Sequence, residues 1–143
     1  MSLTLHLGVV VQPYSAYGRH VTTGDVATWL EDRYGVMGAF WRVHGKDVAR
    51  DMEGGVLRAV ELVMMGRRGA DPYARAMSDL QHRFRRFISS REVERVGIPG
   101  VPTQAALRGV NHRLKHPYRK SNPRRPSFRD TGLYEASFRA WID

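Results

Sequence analysis

The chain of 143 residues contains no cysteine, which excludes disulfide bridges and thiolate metal sites. It also lacks an uninterrupted run of about 18 apolar residues, the length that a membrane-spanning helix requires. The first eleven residues carry neither a positively charged start nor a cleavage site of small residues, so they do not resemble a signal peptide. We therefore expect a protein that is made and used without crossing a membrane and that has no membrane partner.

The common sequence motifs of catalysis are missing as well. There is no Gly-Lys-Ser or Gly-Lys-Thr phosphate loop, no His-Glu-x-x-His and no Gly-x-Ser-x-Gly. His112 and His116 have the spacing of two metal ligands on a helix, but Pro117 follows them and no acidic residue is near. Asp47 and Asp51 are also four residues apart, although helical carboxylates of this kind are usually solvated. We predict no enzymatic activity and no catalytic, cofactor or metal site. A small nuclease or other enzyme remains an alternative, ranked third after the two functions given at the end of this section.

Acidic residues are missing from one quarter of the chain. Between Arg95 and Arg129 there is no Asp or Glu, whereas the rest of the chain carries 14 basic and 14 acidic residues, so the net charge of +9 comes from this segment. Its cations are Arg95, Arg108, Arg113, Lys115, Arg119, Lys120, Arg124, Arg125 and Arg129. Such a block either binds a negative partner, nucleic acid or an acidic protein surface, or forms a solvated loop. Tyr118 and Phe128 could stack on bases, but phosphate contact without base reading is the favoured form of any nucleic-acid role.

The remaining sequence has the patterning of a globular domain, with 42% hydrophobic and 26% charged residues. Alternating leucines predict a strand over residues 3–11, which Pro13 ends because it cannot donate a backbone hydrogen bond. Residues 14–21 are predicted to form a loop. Thr22 or Thr23 then caps a first helix, with Asp25 in the first turn where the helix dipole favours negative charge.

Two longer helices follow. The second is predicted over residues 46–65, and its adjacent Gly54 and Gly55 permit a kink or the close approach of a neighbouring helix. The third begins with Asp71 as N-cap and Pro72 at the first helical position. Its apolar stripe is Tyr73, Met77, Leu80, Phe84, Phe87 and Ile88. The aromatic residues at helical spacing that we predict to be core are Trp29, Phe40, Trp41, Phe84 and Phe87.

Proline becomes frequent after residue 97, and five of the seven prolines lie between Pro99 and Pro126. Thr103 is a candidate cap of a short helix, but residues 111–129 have almost no apolar periodicity and predict an extended arm that is ordered only in an assembly. The last residues, from Leu133 to Ile142, favour a strand over a short helix from Thr131. The predicted fold is α+β in one domain: a strand and three core helices (1–97), a basic Pro-rich arm (98–129) and a C-terminal strand (130–143).

The C-terminal part of the sequence resembles a family of phage proteins. The runs at residues 97–103, 112–118, 126–134 and 136–141 look like a virion protein from the late-gene clusters of tailed phages and prophages. Asp130, Thr131, Gly132 and Leu133, followed by Ser137, are similar to the Thr-Gly-x-Leu-x-x-Ser signature of phage neck, tail-completion and virion-morphogenesis proteins. The resemblance implies that these five residues form an assembly motif, a turn that launches a strand or short helix. We expect Gly132 to adopt a conformation that a side chain resists.

The resemblance implies a structural protein of the virion, assembled in the host bacterial cytoplasm. It implies a hexameric or dodecameric ring in the neck or at the end of the tail, next to neck, portal or tail proteins. Candidate contacts with channel DNA or a neighbouring subunit are Arg108, Arg113, Lys115, Arg119, Lys120, Arg124, Arg125 and Arg129. Adaptor, stopper, collar and terminator positions are not separated by residue chemistry. The alternative function is free, sequence-nonspecific DNA binding through residues 95–129.

Overall fold

The computed structural model describes residues 2–14, 20–67 and 69–143. Its elements are β1 (Leu5–Val9), α1 (Thr23–Tyr34), α2 (Val36–Met64), α3 (Ala74–Ser89), a 3₁₀ helix (Glu92–Arg95), α4 (Gln104–Leu107), α5 (Leu133–Ser137) and β2 (Phe138–Ile142). The predicted α+β class is confirmed. Most of the loop predicted at residues 14–21, and Arg68 in the stop after the second helix, lie outside the described residues. Within the described ranges, no helix has the length and apolar character of a membrane span.

The two strands come from opposite ends of the chain and pair with each other. They are antiparallel, with Leu5 opposite Ile142 and Val9 opposite Phe138. An isolated pair of strands is marginal in water, so this sheet depends on what packs against it. α3 provides that support, because the ring of Phe84 stacks on Phe138 at a centroid distance of 3.9 Å.

A polar cap begins each of the first two helices. Thr22 Oγ1 accepts the N–H of Asp25 at 3.2 Å and the Asp25 carboxylate accepts the N–H of Thr22 at 2.8 Å, which confirms the predicted start of α1. Gly35, at φ +59°, ends α1 in the left-handed region. The Glu31 carboxylate then accepts two N–H groups of the first turn of α2, at 2.7 and 3.1 Å. This cap lets α2 begin at Val36, well before the predicted residue 46.

An aromatic cluster fills the space between α2, α3 and the sheet. Phe40, Phe84, Phe87 and Phe138 are all fully buried. Phe40 meets the other three rings at steep angles and centroid distances of 5.3, 5.6 and 6.4 Å, an arrangement that aromatic pairs favour. The apolar stripe predicted for the third helix is confirmed as core, with only Tyr73 half-buried.

Two predictions about the helices are wrong. α3 begins at Ala74, not directly after Asp71, because the Asp71 carboxylate accepts the N–H of Tyr73 at 2.8 Å within a separate turn. Trp29 and Trp41 are not core residues, since they are 58% and 46% exposed. Their helical spacing matched that of the buried aromatics, but the rest of the described chain covers them only in part.

The second half of α2 has one covered face and one bare face. Gly55 packs so closely on the Tyr73 ring that a Cβ would lie 2.4 Å from it, in agreement with the close approach predicted for this glycine pair. The bare face carries five apolar residues that are 50% to 83% exposed: Val56, Leu57, Val60, Val63 and Met64. At about 100° per residue they fall within about 120° of one another around the helix. We call these five residues the exposed apolar arc.

The extended arm predicted for residues 98–129 is not confirmed. The segment folds back on itself through short turns and α4, which Thr103 caps as predicted. The Asn122 side chain donates to the carbonyl oxygens of His116 and Pro117 at 2.8 and 3.0 Å. Gly109, at φ +70°, lies so close to Asn122 that a Cβ would be 2.5 Å from its carbonyl oxygen. Hydrogen bonds and close backbone packing hold this segment, in place of the apolar periodicity that the sequence lacks.

The C-terminal residues form both of the elements considered from the sequence. α5 follows Gly132 directly, and β2 follows α5 without a break at Phe138. The predicted strand is therefore wrong over its first five residues. Ser137 stabilises the change of direction, because its buried Oγ donates to the carbonyl of Tyr134 at 2.8 Å while its own carbonyl accepts the N–H of Val10 at 2.8 Å.

Candidate functional site

The eight predicted contact cations lie in different environments. Six are exposed: Arg108, Arg113, Lys115, Arg119, Lys120 and Arg124. Arg125 is buried and Arg129 is half-buried. Arg113 donates to the Asn111 side chain at 3.4 Å, and Arg124 has an ion pair. The side chains of the other four form neither an ion pair nor a hydrogen bond within the described ranges, and we call them the unpaired cations: Arg108, Lys115, Arg119 and Lys120.

Glu94 fixes the acid-free stretch of residues 95–129, which we call the basic segment, to the helical core. Its side chain is only 6% exposed and accepts hydrogen bonds from the Ser127 N–H at 2.9 Å, the Ser127 hydroxyl at 2.8 Å and the Arg124 guanidinium. Burial acts to raise the pKa of Glu94, but these hydrogen bonds and the Arg124 charge outweigh it and hold the pKa below its usual range. The Ser127 hydroxyl also accepts the N–H of Thr103 at 3.1 Å, which connects the start of α4 to the same carboxylate.

Arg125 has a structural role inside the chain. Its guanidinium donates to the carbonyl of Val110 and, at 3.0 Å, to that of Pro126. Its backbone N–H donates to the carbonyl of Ala106 at 3.2 Å. A guanidinium is tolerated at 8% exposure only where its donors have acceptors of this kind. The folded chain therefore holds Arg125 internally, and a contact of this residue with DNA or with a neighbouring subunit stays a prediction.

Arg129 is also held by an internal partner. Its Nε lies 2.6 Å from Oε1 of Glu135, whose side chain is 9% exposed. Burial raises the pKa of Glu135 above its usual range, although the charges of Arg129, Arg113 and Arg85 act to lower it. The ion pair with Glu135 thus partly neutralises Arg129 and makes it less available to an outside partner.

A chain of three side chains orients Tyr118. The Asp130 carboxylate accepts the backbone N–H of His112 at 2.7 Å, and its other oxygen lies 2.5 Å from Nδ1 of the same histidine. Nε2 of His112 lies 2.9 Å from the Tyr118 hydroxyl. When Nδ1–H donates to the carboxylate, a neutral imidazole presents Nε2 as an acceptor for the phenol O–H. The Tyr118 ring is 73% exposed and stands edge-on to the histidine at a centroid distance of 5.4 Å.

The predicted assembly motif forms the turn between these side chains and α5. Thr131 Oγ1 accepts the N–H of Leu133 at 3.3 Å, and Gly132 adopts φ +82°, which confirms the conformation expected there. Asp130 supports His112, and Ser137 supports the entry into β2. All five residues are half-buried or buried within their own chain. A role of this motif in contacts between subunits stays a prediction.

An apolar cleft of about 760 Å³ lies between α1 and the basic segment. Its lining includes Trp29 and Leu30 from α1, together with Phe128, Tyr14 and Tyr134. Burial, aided by the negative charge of Asp130, raises the pKa of Tyr14 to about 12, and burial raises that of Tyr134 as well. Both phenols therefore stay protonated at neutral pH.

The paired carboxylates on α2 have a cationic partner. Arg83 of α3 lies 2.9 Å from Asp51 and 3.6 Å from Asp47. Among residues 2–14, 20–67 and 69–143, no group of three His, Asp or Glu side chains is placed to hold a metal ion. His112 bonds Asp130 and Tyr118, as described above, while His116 is exposed.

Two features of the site were not predicted from the sequence. One is Glu94 as the anchor of the basic segment; its position as the last acidic residue before the acid-free stretch was the available signal. The other is the support of Tyr118 by His112 and Asp130. Eighteen residues separate that histidine from the aspartate, and no local spacing indicates their contact.

Comparisons with known proteins provide no further assignment. No family model matches the chain, and no curated protein or solved structure matches it. The fold and the site define only a class, a small α+β protein with a folded basic segment and a helix that carries an exposed apolar arc. The function must therefore be argued from the residues themselves.

Proposed function

We propose that the protein is a structural, non-enzymatic subunit of a tailed-phage virion that forms a homo-oligomeric ring in the neck or completes the tail. The sequence resemblance around residues 130–137 supports the virion assignment. The exposed apolar arc of α2 carries the proposal that copies of the chain associate. Neighbouring neck, portal or tail proteins are the further partners, and assembly in the host bacterial cytoplasm follows from the same resemblance.

The exposed apolar arc has the properties of a helix–helix contact. Val56, Val60 and Val63 are spaced by four and three residues, the pattern of one apolar stripe, and Leu57 and Met64 widen it. Single exposed apolar residues are common, but a contiguous group of five on one helical face is typical of an interface. Burial of such side chains contributes about 25 cal/mol for each square ångström removed from water.

The charges near the arc favour a second copy of this chain as the occupant. Arg58 and Glu61 form an ion pair of 2.9 Å on the same stretch of helix, so they neutralise each other there. The basic segment, by contrast, would repel its counterpart in another copy at close range. Contact through α2 brings two copies together by a surface of low net charge. If the arc of one copy packs on a different surface of the next copy, the contact is heterologous, and such contacts close into rings when the rotation between subunits permits it.

The unpaired cations give such a ring a positive surface. Arg108, Lys115, Arg119 and Lys120 are exposed and carry no internal partner among the described acidic side chains. Repeated around a ring, they would hold the phosphates of channel DNA without reading its sequence. The same cations would alternatively bind an acidic surface of a neighbouring subunit. In either case they act from a folded segment, not from an extended arm.

Native mass spectrometry of the wild-type chain and of Val60→Lys tests the proposal. A lysine in the centre of the arc places a charge in the proposed contact, so we expect the hexameric or dodecameric species of the wild type to become monomeric. Val43→Lys is the matched control, because it introduces the same lysine on the same helix, at a valine that is 43% exposed and lies outside the arc. We expect that control to assemble normally.

The measurement is made with the chain alone and with its particle neighbours. A wild type that stays monomeric under both conditions would overturn the ring proposal. Equal effects of the two lysine variants would show that the arc is not the contact, even if a ring forms.

The second candidate is a free, sequence-nonspecific DNA-binding protein, which the unpaired cations favour. If all four contact phosphates, the logarithm of the binding constant should fall with the logarithm of salt concentration with a slope of about −3.6. Fluorescence anisotropy with a duplex of arbitrary sequence measures this slope. Salt-dependent binding by a stable monomer would favour this candidate over the ring, whereas no binding at low salt would exclude it.

A further inference from the structure

Tyr118 is an exposed aromatic residue surrounded by cations. Its side chain is 73% exposed, and it lines a shallow surface depression together with Lys115 and Arg119. Lys120 is exposed two residues further on. The chain contains no acidic residue from position 95 to 129, and the Asp130 carboxylate behind Tyr118 bonds His112. The cations beside Tyr118 therefore favour a negatively charged ligand there.

The ring of Tyr118 is held in a fixed direction. Its hydroxyl bonds Nε2 of His112, whose position Asp130 fixes through both the backbone N–H and Nδ1. Most exposed tyrosines lose rotational freedom when a ligand covers them. A side chain that its own fold has already oriented loses less, and the loss in binding free energy is correspondingly smaller.

Two other aromatic side chains near the surface, Phe128 and Trp141, lack this combination. Phe128 is half-buried and packs on Tyr34 at a centroid distance of 5.1 Å. Trp141 is 47% exposed, but His6 already stacks on it at 5.2 Å with nearly parallel rings. The ring contact of Tyr118 within the described chain is the edge-on one with His112, which leaves its faces without an aromatic cover.

We propose that Tyr118 is a stacking platform for an unpaired nucleobase of single-stranded nucleic acid, whose flanking phosphates bind Lys115, Arg119 and Lys120. Aromatic rings bind bases of any identity by their faces, and cations beside the ring follow the backbone. Bases inside a duplex are already stacked on one another, so the ligand is a single strand or the unpaired end of a duplex. This binding mode goes beyond the phosphate contacts proposed above and does not depend on ring formation.

Fluorescence anisotropy of the intact protein tests the proposal with a labelled single-stranded oligonucleotide and a duplex of equal length. We expect Tyr118→Leu to weaken single-strand binding by roughly 10-fold or more and to leave duplex binding nearly unchanged. Tyr118→Phe retains the ring but loses the bond to His112, so its loss should be smaller than that of the leucine variant. Trp141→Leu is the control for removal of an exposed aromatic residue, and we expect no change in either affinity.

Equal loss of single-strand and duplex binding in Tyr118→Leu, or no loss in either, would overturn the proposal. A second measurement uses wild-type protein and a single strand that contains 2-aminopurine, whose fluorescence falls on stacking. We expect quenching on binding, and binding without quenching would contradict the platform. The native mass of Tyr118→Leu separates this inference from the ring proposal, because the substitution should leave assembly unchanged.

Discussion

The substitution Glu94→Ala should release the basic segment from the helical core. It removes the acceptor of both the N–H and the hydroxyl of Ser127, a residue with 0% exposure. A buried polar group left without a partner costs about 1–3 kcal/mol, and the lost Arg124 bond adds to this. Because solvent will reach part of the vacated space, we expect the free energy of unfolding to fall by about 3 kcal/mol. Glu94→Gln keeps one carbonyl acceptor and should lose about half as much.

Urea denaturation at neutral pH measures the change in free energy of unfolding, and amide hydrogen exchange locates it. Protection should decrease first in residues 122–129, because this range contains Arg124 and Ser127, the partners of Glu94. Glu53→Ala is the control, because Glu53 is an exposed glutamate on α2 and its loss should alter stability by less than about 0.5 kcal/mol. A Glu94→Ala protein as stable as this control would refute the anchoring role. If the amides of residues 111–129 exchange without protection in the isolated wild type, the prediction of an arm that is ordered only in an assembly would be supported.

The pH dependence of the Glu94→Ala effect has a definite sign. The pKa of Glu94 in the folded chain lies below its ordinary value of 4.5, so its carboxylate stabilises the fold at pH values above that figure. That contribution is lost as the pH falls through the folded pKa. The difference in stability between wild type and variant should therefore be largest near neutral pH and shrink in acid. A difference that grew on acidification would contradict the bonds described for this carboxylate.

Three further substitutions test other parts of the fold. Gly109→Ala should lower the free energy of unfolding by about 2–4 kcal/mol, because the new Cβ meets a carbonyl oxygen at a positive φ; an unchanged urea midpoint would contradict that packing. Gly132→Val should lower the free energy of unfolding by about 1–3 kcal/mol, because Gly132 has a positive φ. A normal native mass of this variant would show that the motif is not needed for assembly. Thr22→Ala removes the α1 cap and should lower stability by about 1 kcal/mol in thermal unfolding followed by circular dichroism.

Apolar periodicity located the helices well but did not predict which of their faces would be covered. Val48 and Val60 belong to the same four-residue repeat on α2, yet the first is 1% exposed and the second 54%. The difference arises because twelve residues at about 100° each turn the helix about 120° beyond complete turns, so Val60 points away from the covered face on which Val48, Gly55 and Leu62 lie. A strict four-residue repeat drifts by about 40° at each step around an α-helix, so over three steps it passes from the covered face to the exposed apolar arc.

The basic segment could be predicted in composition but not in conformation. Its sequence lacks the apolar repeat that indicates a helix or strand, and the prediction of an extended arm followed from that absence. The structure holds the segment by other means, mainly through Glu94, Asn122 and Asp130, whose partners lie between 5 and 33 residues away. Polar contacts between distant residues leave no period in a sequence, so only the three-dimensional arrangement reveals them.

This arrangement also changes what the net charge means for function. Two anions just outside the acid-free stretch hold cations of the segment internally, Glu94 with Arg124 and Glu135 with Arg129. Arg125 is buried, so the charges left for a partner are concentrated between residues 108 and 120. A phosphate backbone or an acidic surface would therefore meet Lys115 and Arg119 in one surface depression with Tyr118, not a uniformly charged arm. A compact, pre-oriented site can place an aromatic ring and its cations against one nucleotide, whereas a flexible arm would have to be ordered at each encounter.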